Sequence, residues 1–180
     1  MCSSDLKVSL ELLNPFFAEI PWTVSLTGKN VLVIHPFTST IMFQYKKRTL
    51  LFDKNILPDF NLKTIKAVQS SAGENTSYGD WFEALEWMKG EIDKQEYDIC
   101  LIGAGAYGLH LAAHVKRQGK KAVHLGGSLQ LLFGIRGKRW ENKNYNPIYN
   151  YQKLMNEHWL RPDKLEKPNG AKNVEGGCYW

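Results

Sequence analysis

The stretch from Tyr97 to Gly127, YDICLIGAGAYGLHLAAHVKRQGKKAVHLGG, constrains the fold more than any other part of the chain. Ile99, Cys100, Leu101 and Ile102 form a short continuous apolar run, the pattern of a strand buried on both faces. Gly103, Gly105 and Gly108 follow in G-x-G-x-x-G spacing, and a helix is predicted over 106–118, ended by Gly119. Ala112 and Ala113 are small enough to let that helix sit close to a sheet. Lys121 to Leu125 then reads as another strand. A strand, a crossover helix and a second strand in this order join parallel strands through a right-handed connection.

The chain before this unit repeats the alternation. Val31 to Ile34 is a β-branched strand ending in His35-Pro36-Phe37, and Thr38 or Ser39 is placed to cap a helix over 38–52 that carries Ile41, Tyr45 and Phe52. Thr64 to Val68 reads as the next strand. Asp80 followed by Glu83 spells a capping box for a helix over 80–95, whose Trp81, Leu85, Met88 and Ile92 recur at helical spacing. This helix, Trp87 included, is read as core. The expected fold is α/β: a three-layer Rossmann-like domain over 29–140 with a mostly parallel sheet of about four or more strands. Residues 1–28 form an N-terminal arm with a short helix over 5–13. Residues 128–133 form another short helix, and 141–180 an irregular, aromatic-rich extension packed on the domain, with one helix near 147–157.

A length of 180 residues suits one domain with a sizeable core. With 43% hydrophobic and 23% charged residues the chain has globular composition. Its net charge of +5 suits an anionic ligand, but the charge is spread rather than concentrated, so nucleic acid is not expected as a partner. Cys2, Cys100 and Cys178 share no metal-ligand spacing, which points to a reduced, cytoplasmic setting. No apolar run approaches the ~18 residues of a membrane span.

In an open parallel sheet, ligands bind beyond the carboxyl ends of the strands, where strand order reverses. The residues gathered there are His35, Thr38 and Ser39, the segment Gln69 to Gly73, the glycine turn, and His124, Gly126 and Gly127, with Gln130 able to read a base or a sugar hydroxyl. His35 and His124 could donate to a phosphate or act as acid or base. Arg136, Lys138 and Arg139 form a candidate phosphate clamp. Each feature has a structural alternative: glycines as turn residues, histidines as packed strand ends, basic residues as a solvated loop. A dinucleotide site places an Asp or Glu roughly 20 residues past the glycines to hold the ribose. That position is His124-Leu125-Gly126-Gly127, which counts against NAD and S-adenosylmethionine. His110 and His114 lack an H-E-x-x-H context and read as a helix face, so no metal site is assigned. Cys100, inside a strand, is no candidate nucleophile, and no catalytic residue is assigned.

The segment DICLIGAGAYGLHLAAHVKRQGKKAVHLGG resembles the C-terminal nucleotide-binding part of bacterial glycosyltransferases of the GT-D fold. The run from VLVIHPF at 31–37 through LGGSLQLLFGIRGKRW at 125–140, with the ending VEGGCYW, is similar to uncharacterised bacterial proteins near that fold. The resemblance implies a nucleotide-sugar donor bound at Gly103, Gly105, Tyr107 and Gly108, a glycan acceptor, and Mn²⁺ or Mg²⁺ as cofactor, in glycan or polysaccharide biosynthesis. The family's acidic D-x-E motif is absent from this sequence. In relatives an acidic segment precedes the matching part, so the chain is expected to be a partial version, and the resemblance transfers no catalytic residue. Two alternatives stay open: a non-catalytic nucleotide-binding or assembly module of the same fold, and a Rossmann oxidoreductase or methyltransferase.

Overall fold

Four short strands, Asn30–His35 (β1), Asn61–Lys66 (β2), Ile99–Ile102 (β3) and Lys121–His124 (β4), pair side by side in the order β2-β1-β3-β4. The computed structural model describes residues 13–69, 76–173 and 175–180. Every strand pair is parallel, with Val31 opposite both Leu62 and Ile99, and Ile102 opposite His124. The helices are Thr38–Tyr45 (α1), Trp81–Asp93 (α2), Gly108–Arg117 (α3), Ser128–Leu132 (α4) and Lys138–Glu141 (α5). The chain leaves β1 towards β2 on one side and returns to place β3 on the other. The switch point therefore lies between β1 and β3.

The alternation of side chains along a strand divides the interior in two. Val31, Val33 and Leu101 join Ile41, the apolar residues of α4 and aromatics of the C-terminal extension on one face. Leu32, Ile34, Cys100 and Ile102 join Leu85, Met88 and Ile92 of α2 and Leu111 and Val115 of α3 on the other. The result is the expected three-layer α/β architecture, with an all-parallel sheet. The aromatic-rich extension adds to the first layer. Ile135 bridges Leu160, and the Trp159 indole donates to the Leu51 carbonyl. The arm meets the extension there, with Phe17 stacked on Tyr149 and Asn14 donating to the Tyr151 hydroxyl.

Several boundaries differ from those read off the sequence. The helix expected over 38–52 ends at Tyr45, and a separate 3-10 turn spans Arg48–Leu50. Its last turn is held by distant partners: Gln44 donates to the carbonyls of Gly134 and His158, and the Tyr45 hydroxyl accepts from the Phe60 amide. The break turns Leu51 into the core and Phe52 against Trp159. The strand expected over 64–68 lies three residues earlier at its start, because Asn61 is set opposite Asn30. The helix near 147–157 is only a 3-10 turn at Tyr151–Leu154. Asn146 caps the amides of Ile148 and Tyr149, and Asn150 those of Gln152 and Lys153, so Asx-type turns outcompete a helix. The helix read over 5–13 lies, but for Leu13, outside the described residues. Among the described residues no helix is long and apolar enough to cross a membrane.

Candidate functional site

At the carboxyl edge of the sheet, across the switch point, opens a cavity of about 430 Å³. Its wall is built from His35, Pro36 and Phe37 after β1, Ala67 to Gln69 after β2, Gly103 to Tyr107 after β3, and Gly126, Gly127 and Gln130 after β4. Trp81 and the pair Tyr179-Trp180 complete it. Of the residues expected here, the fold brings together His35, Gln69, Gly103, Gly105, Tyr107, Gly126, Gly127 and Gln130.

The other expected residues lie elsewhere. Gly108 is not in the wall: a Cβ there would come within 2.1 Å of the His124 ring. Gly108 is thus a close contact between α3 and β4, and His124 packs beneath it with its Nε2 buried and unpartnered among the described residues. Thr38 and Ser39 open α1, but Glu166 takes that helix end, accepting from the amides of Ser39 (2.7 Å) and Thr40 (3.2 Å) and from the Thr40 hydroxyl. The clamp residues do not line the cavity either. Arg136 donates to the Asn156 carbonyl at 2.6 Å, Lys138 is exposed, and Arg139 sits 4.7 Å over the Tyr179 ring and donates to its hydroxyl. Arg139 supports the wall from behind. Ser70 to Gly73 lie outside the described residues.

The glycine turn holds two kinds of glycine. Gly103 has no room for a side chain, with His35 at 2.7 Å and the Gly126 carbonyl at 2.8 Å from a notional Cβ. Gly105 has open space but a φ of +52°, which an L-residue rarely adopts. It begins the 3-10 turn Gly105–Tyr107 that leads into α3. The amides of Gly105 and Ala106 open that turn and have no partner within it.

The remaining polar groups of the wall are fixed by their neighbours. His35 is buried, and its Nδ1 accepts from the Phe37 amide at 3.0 Å, so the proton of the neutral ring sits on Nε2. No acceptor among the described residues pairs with that Nε2. Burial holds the His35 pKa down to about 3, so the ring is neutral at physiological pH. Gln130 donates its amide nitrogen to the carbonyls of Ile135, Arg136 and Tyr179, which leaves its Oε1 as the only group it can offer. The Trp180 Nε1 is buried without a partner among the described residues and is closed to the cavity. The His35 Nε2 proton and the Gly105 and Ala106 amides are the donors on that edge, and they suit acceptor oxygens of a ligand.

A folded-state pKa below the unfolded one means that the unfolded chain binds a proton the native state refuses. For His35 that stability is complete above the unfolded pKa near 6.5 and falls as pH drops towards 3. Between pH 7 and pH 5 the expected loss is about 2 kcal/mol. His124, lowered by burial, adds in the same direction. Urea unfolding at the two pH values tests this. His35→Asn, whose carbonyl can still accept from the Phe37 amide, should shrink the pH effect, and an undiminished effect in that variant would assign it elsewhere.

Two parts of the wall were not assigned to a site by sequence reasoning. Trp81 was grouped with the core, yet it lines the cavity and stacks on Tyr107 with ring centroids 5.0 Å apart and planes 5° apart. The signal was present: Trp81 follows the N-cap of α2, and helices between parallel strands begin at the edge where the preceding strand ends. The Asp80 half of the capping box forms, with the Glu83 amide donating to Asp80, while the Glu83 carboxylate accepts from the amide of Gly79, one residue before the N-cap. Trp87 is also not core, being 39% exposed beside Tyr78. Tyr179 and Trp180 reach the wall from the end of the extension, and nothing local in their sequence marks that destination.

No family model, no curated protein and no solved structure matches this chain. The site must therefore be read from its own chemistry. Among the described residues no group of three or more His, Cys, Asp or Glu is placed to hold a metal ion, and the described wall contains no Asp or Glu side chain. The described residues do not supply a ligand set for the divalent cation implied by the GT-D resemblance.

Proposed function

We propose that the cavity binds a nucleotide-sugar, and that the protein acts in glycan biosynthesis as a GT-D-like donor-binding domain. The observation that carries this reading is the placement of the Trp81–Tyr107 stack beside the glycine turn at the switch point. The aromatic faces suit a base or a sugar ring. The amides of Gly105 and Ala106 and the His35 Nε2 proton suit the oxygens of the ligand, and the Gln130 Oε1 suits one of its hydroxyls or N–H groups. Calorimetry with UDP and UDP-sugars, with and without Mn²⁺, tests it. Base stacking on an aromatic ring is worth about 1–3 kcal/mol. Trp81→Ala should therefore weaken binding roughly tenfold or more; because the ring also packs against the α2 side of the core, Trp81→Phe, which keeps an aromatic face there, should retain both binding and fold. No binding at millimolar ligand, or the same affinity in Trp81→Ala, would remove the reading.

A second reading, a non-catalytic nucleotide-binding module of the same fold, is favoured by one observation. The described wall holds no Asp or Glu side chain, and its one histidine has its Nδ1 engaged and its pKa far below neutrality. That ring is a donor and a poor base. Glycosyl transfer or donor hydrolysis by the isolated chain would count against the module and for the enzyme.

A further inference from the structure

The cavity has no lysine or arginine in its described wall, although a nucleotide-sugar carries a charged diphosphate. The positive charge lies next door. Ala67, Val68 and Gln69 are shared between the cavity and an adjoining cleft, which is also lined by Lys66 at the end of β2 and by Lys164 and Lys167. All three lysines are exposed, and none forms an ion pair among the described residues. The single described acid in that wall is Glu166, whose carboxylate is buried and turned onto the N-terminus of α1. Its charge is met by two amides, a hydroxyl and the positive end of the helix, so it offsets little of the lysine field.

We propose that this cleft is an anion subsite of the same ligand site, in which Lys66, Lys164 and Lys167 receive the phosphate groups of a ligand. The lysines take the part assigned from sequence to Arg136, Lys138 and Arg139; the fold uses Arg136 and Arg139 to hold the extension and the Tyr179 wall and leaves Lys138 exposed away from the cavity. Gln69, between the two lobes, marks where the uncharged and charged parts of the ligand meet. The assignment extends the nucleotide reading above and rests on it for the identity of the ligand, though not for its charge.

The test uses the full chain and inorganic pyrophosphate, followed by calorimetry or by the fluorescence of Trp87, which lines the cleft. Wild-type protein should bind pyrophosphate, and Lys164→Ala/Lys167→Ala should weaken that binding at least tenfold without altering the melting temperature. Lys164→Arg/Lys167→Arg should retain it. No pyrophosphate binding, or equal binding by the alanine variant, overturns the subsite. Competition between pyrophosphate and UDP is the expected result, whereas simultaneous binding of the two overturns the assignment of the cleft to the phosphates of the same ligand. If pyrophosphate binds in this lysine-dependent way while neither uridine nor UDP does, the nucleotide reading fails and the anion subsite stands.

Discussion

Glu166→Ala is expected to destabilise the protein by about 3 kcal/mol, because a buried charged acceptor is lost and two amides with a hydroxyl are left behind. Glu166 is 5% exposed and reaches the start of α1 across 127 residues of sequence to Ser39. The Thr40 hydroxyl also accepts from the Asp163 amide at 3.0 Å, so one hydroxyl and one carboxylate fasten the extension to the helix end. For a chain of this size, 1 kcal/mol corresponds to about 2–4 °C in melting temperature. A drop of about 6–12 °C should therefore be read by calorimetry. Glu166→Gln keeps the shape and one acceptor oxygen, and should recover roughly half of the loss. Leu165→Ala next to it removes a side chain that is 92% exposed and should stay within about 0.5 kcal/mol. If Glu166→Ala also behaves like a surface substitution, the extension is not held in this way.

The contrast between α1 and α2 shows what sequence could and could not reveal. Helix α2 is specified locally: its cap is Asp80, the Glu83 carboxylate holds the Gly79 amide just before that cap, and its buried stripe is Leu85, Met88 and Ile92. Such signals lie within one or two turns of each other, so the reading from sequence was sound apart from the fate of Trp81 and Trp87. Helix α1 has no side-chain cap of its own from residue 37. Its start is satisfied by Glu166 and its end is fixed by carbonyls of Gly134 and His158, all of them far along the chain. A local pattern cannot carry such information. The same holds for the site. Residues at or just past strand ends, such as His35, Gly103 and Gly126, are placed by topology alone, whereas Trp180 and the lysines of 164–167 arrive through packing of an irregular extension.

Gly108→Ala should cost about 3 kcal/mol, at the upper end of the range for overpacking a rigid interior, while Gly105→Ala should cost only about 1–2 kcal/mol from its left-handed backbone. At Gly108 the new methyl would meet three atoms of the His124 ring at 2.1, 2.5 and 2.8 Å. With the imidazole in its native place between α3 and the sheet, α3 has to lift, carrying Tyr107 with it. At Gly105 nothing lies within 4 Å of the added carbon, and the strain is confined to one residue. Urea unfolding of the two variants measures the difference. The decisive comparison is the double variant Gly108→Ala/His124→Ala, in which the clash is removed. Its stability should exceed the sum of the single effects by about 2 kcal/mol, since contacting residues are coupled and distant ones are not. Additive effects would mean that Gly108 is required for some other reason, such as contact with a ligand. With the expected coupling, the spelling G-x-G-x-x-G separates into unlike requirements: a strand end with no space at Gly103, a backbone turn at Gly105, and a helix seated on a histidine at Gly108. Only the middle one lies open to the cavity with free space around it.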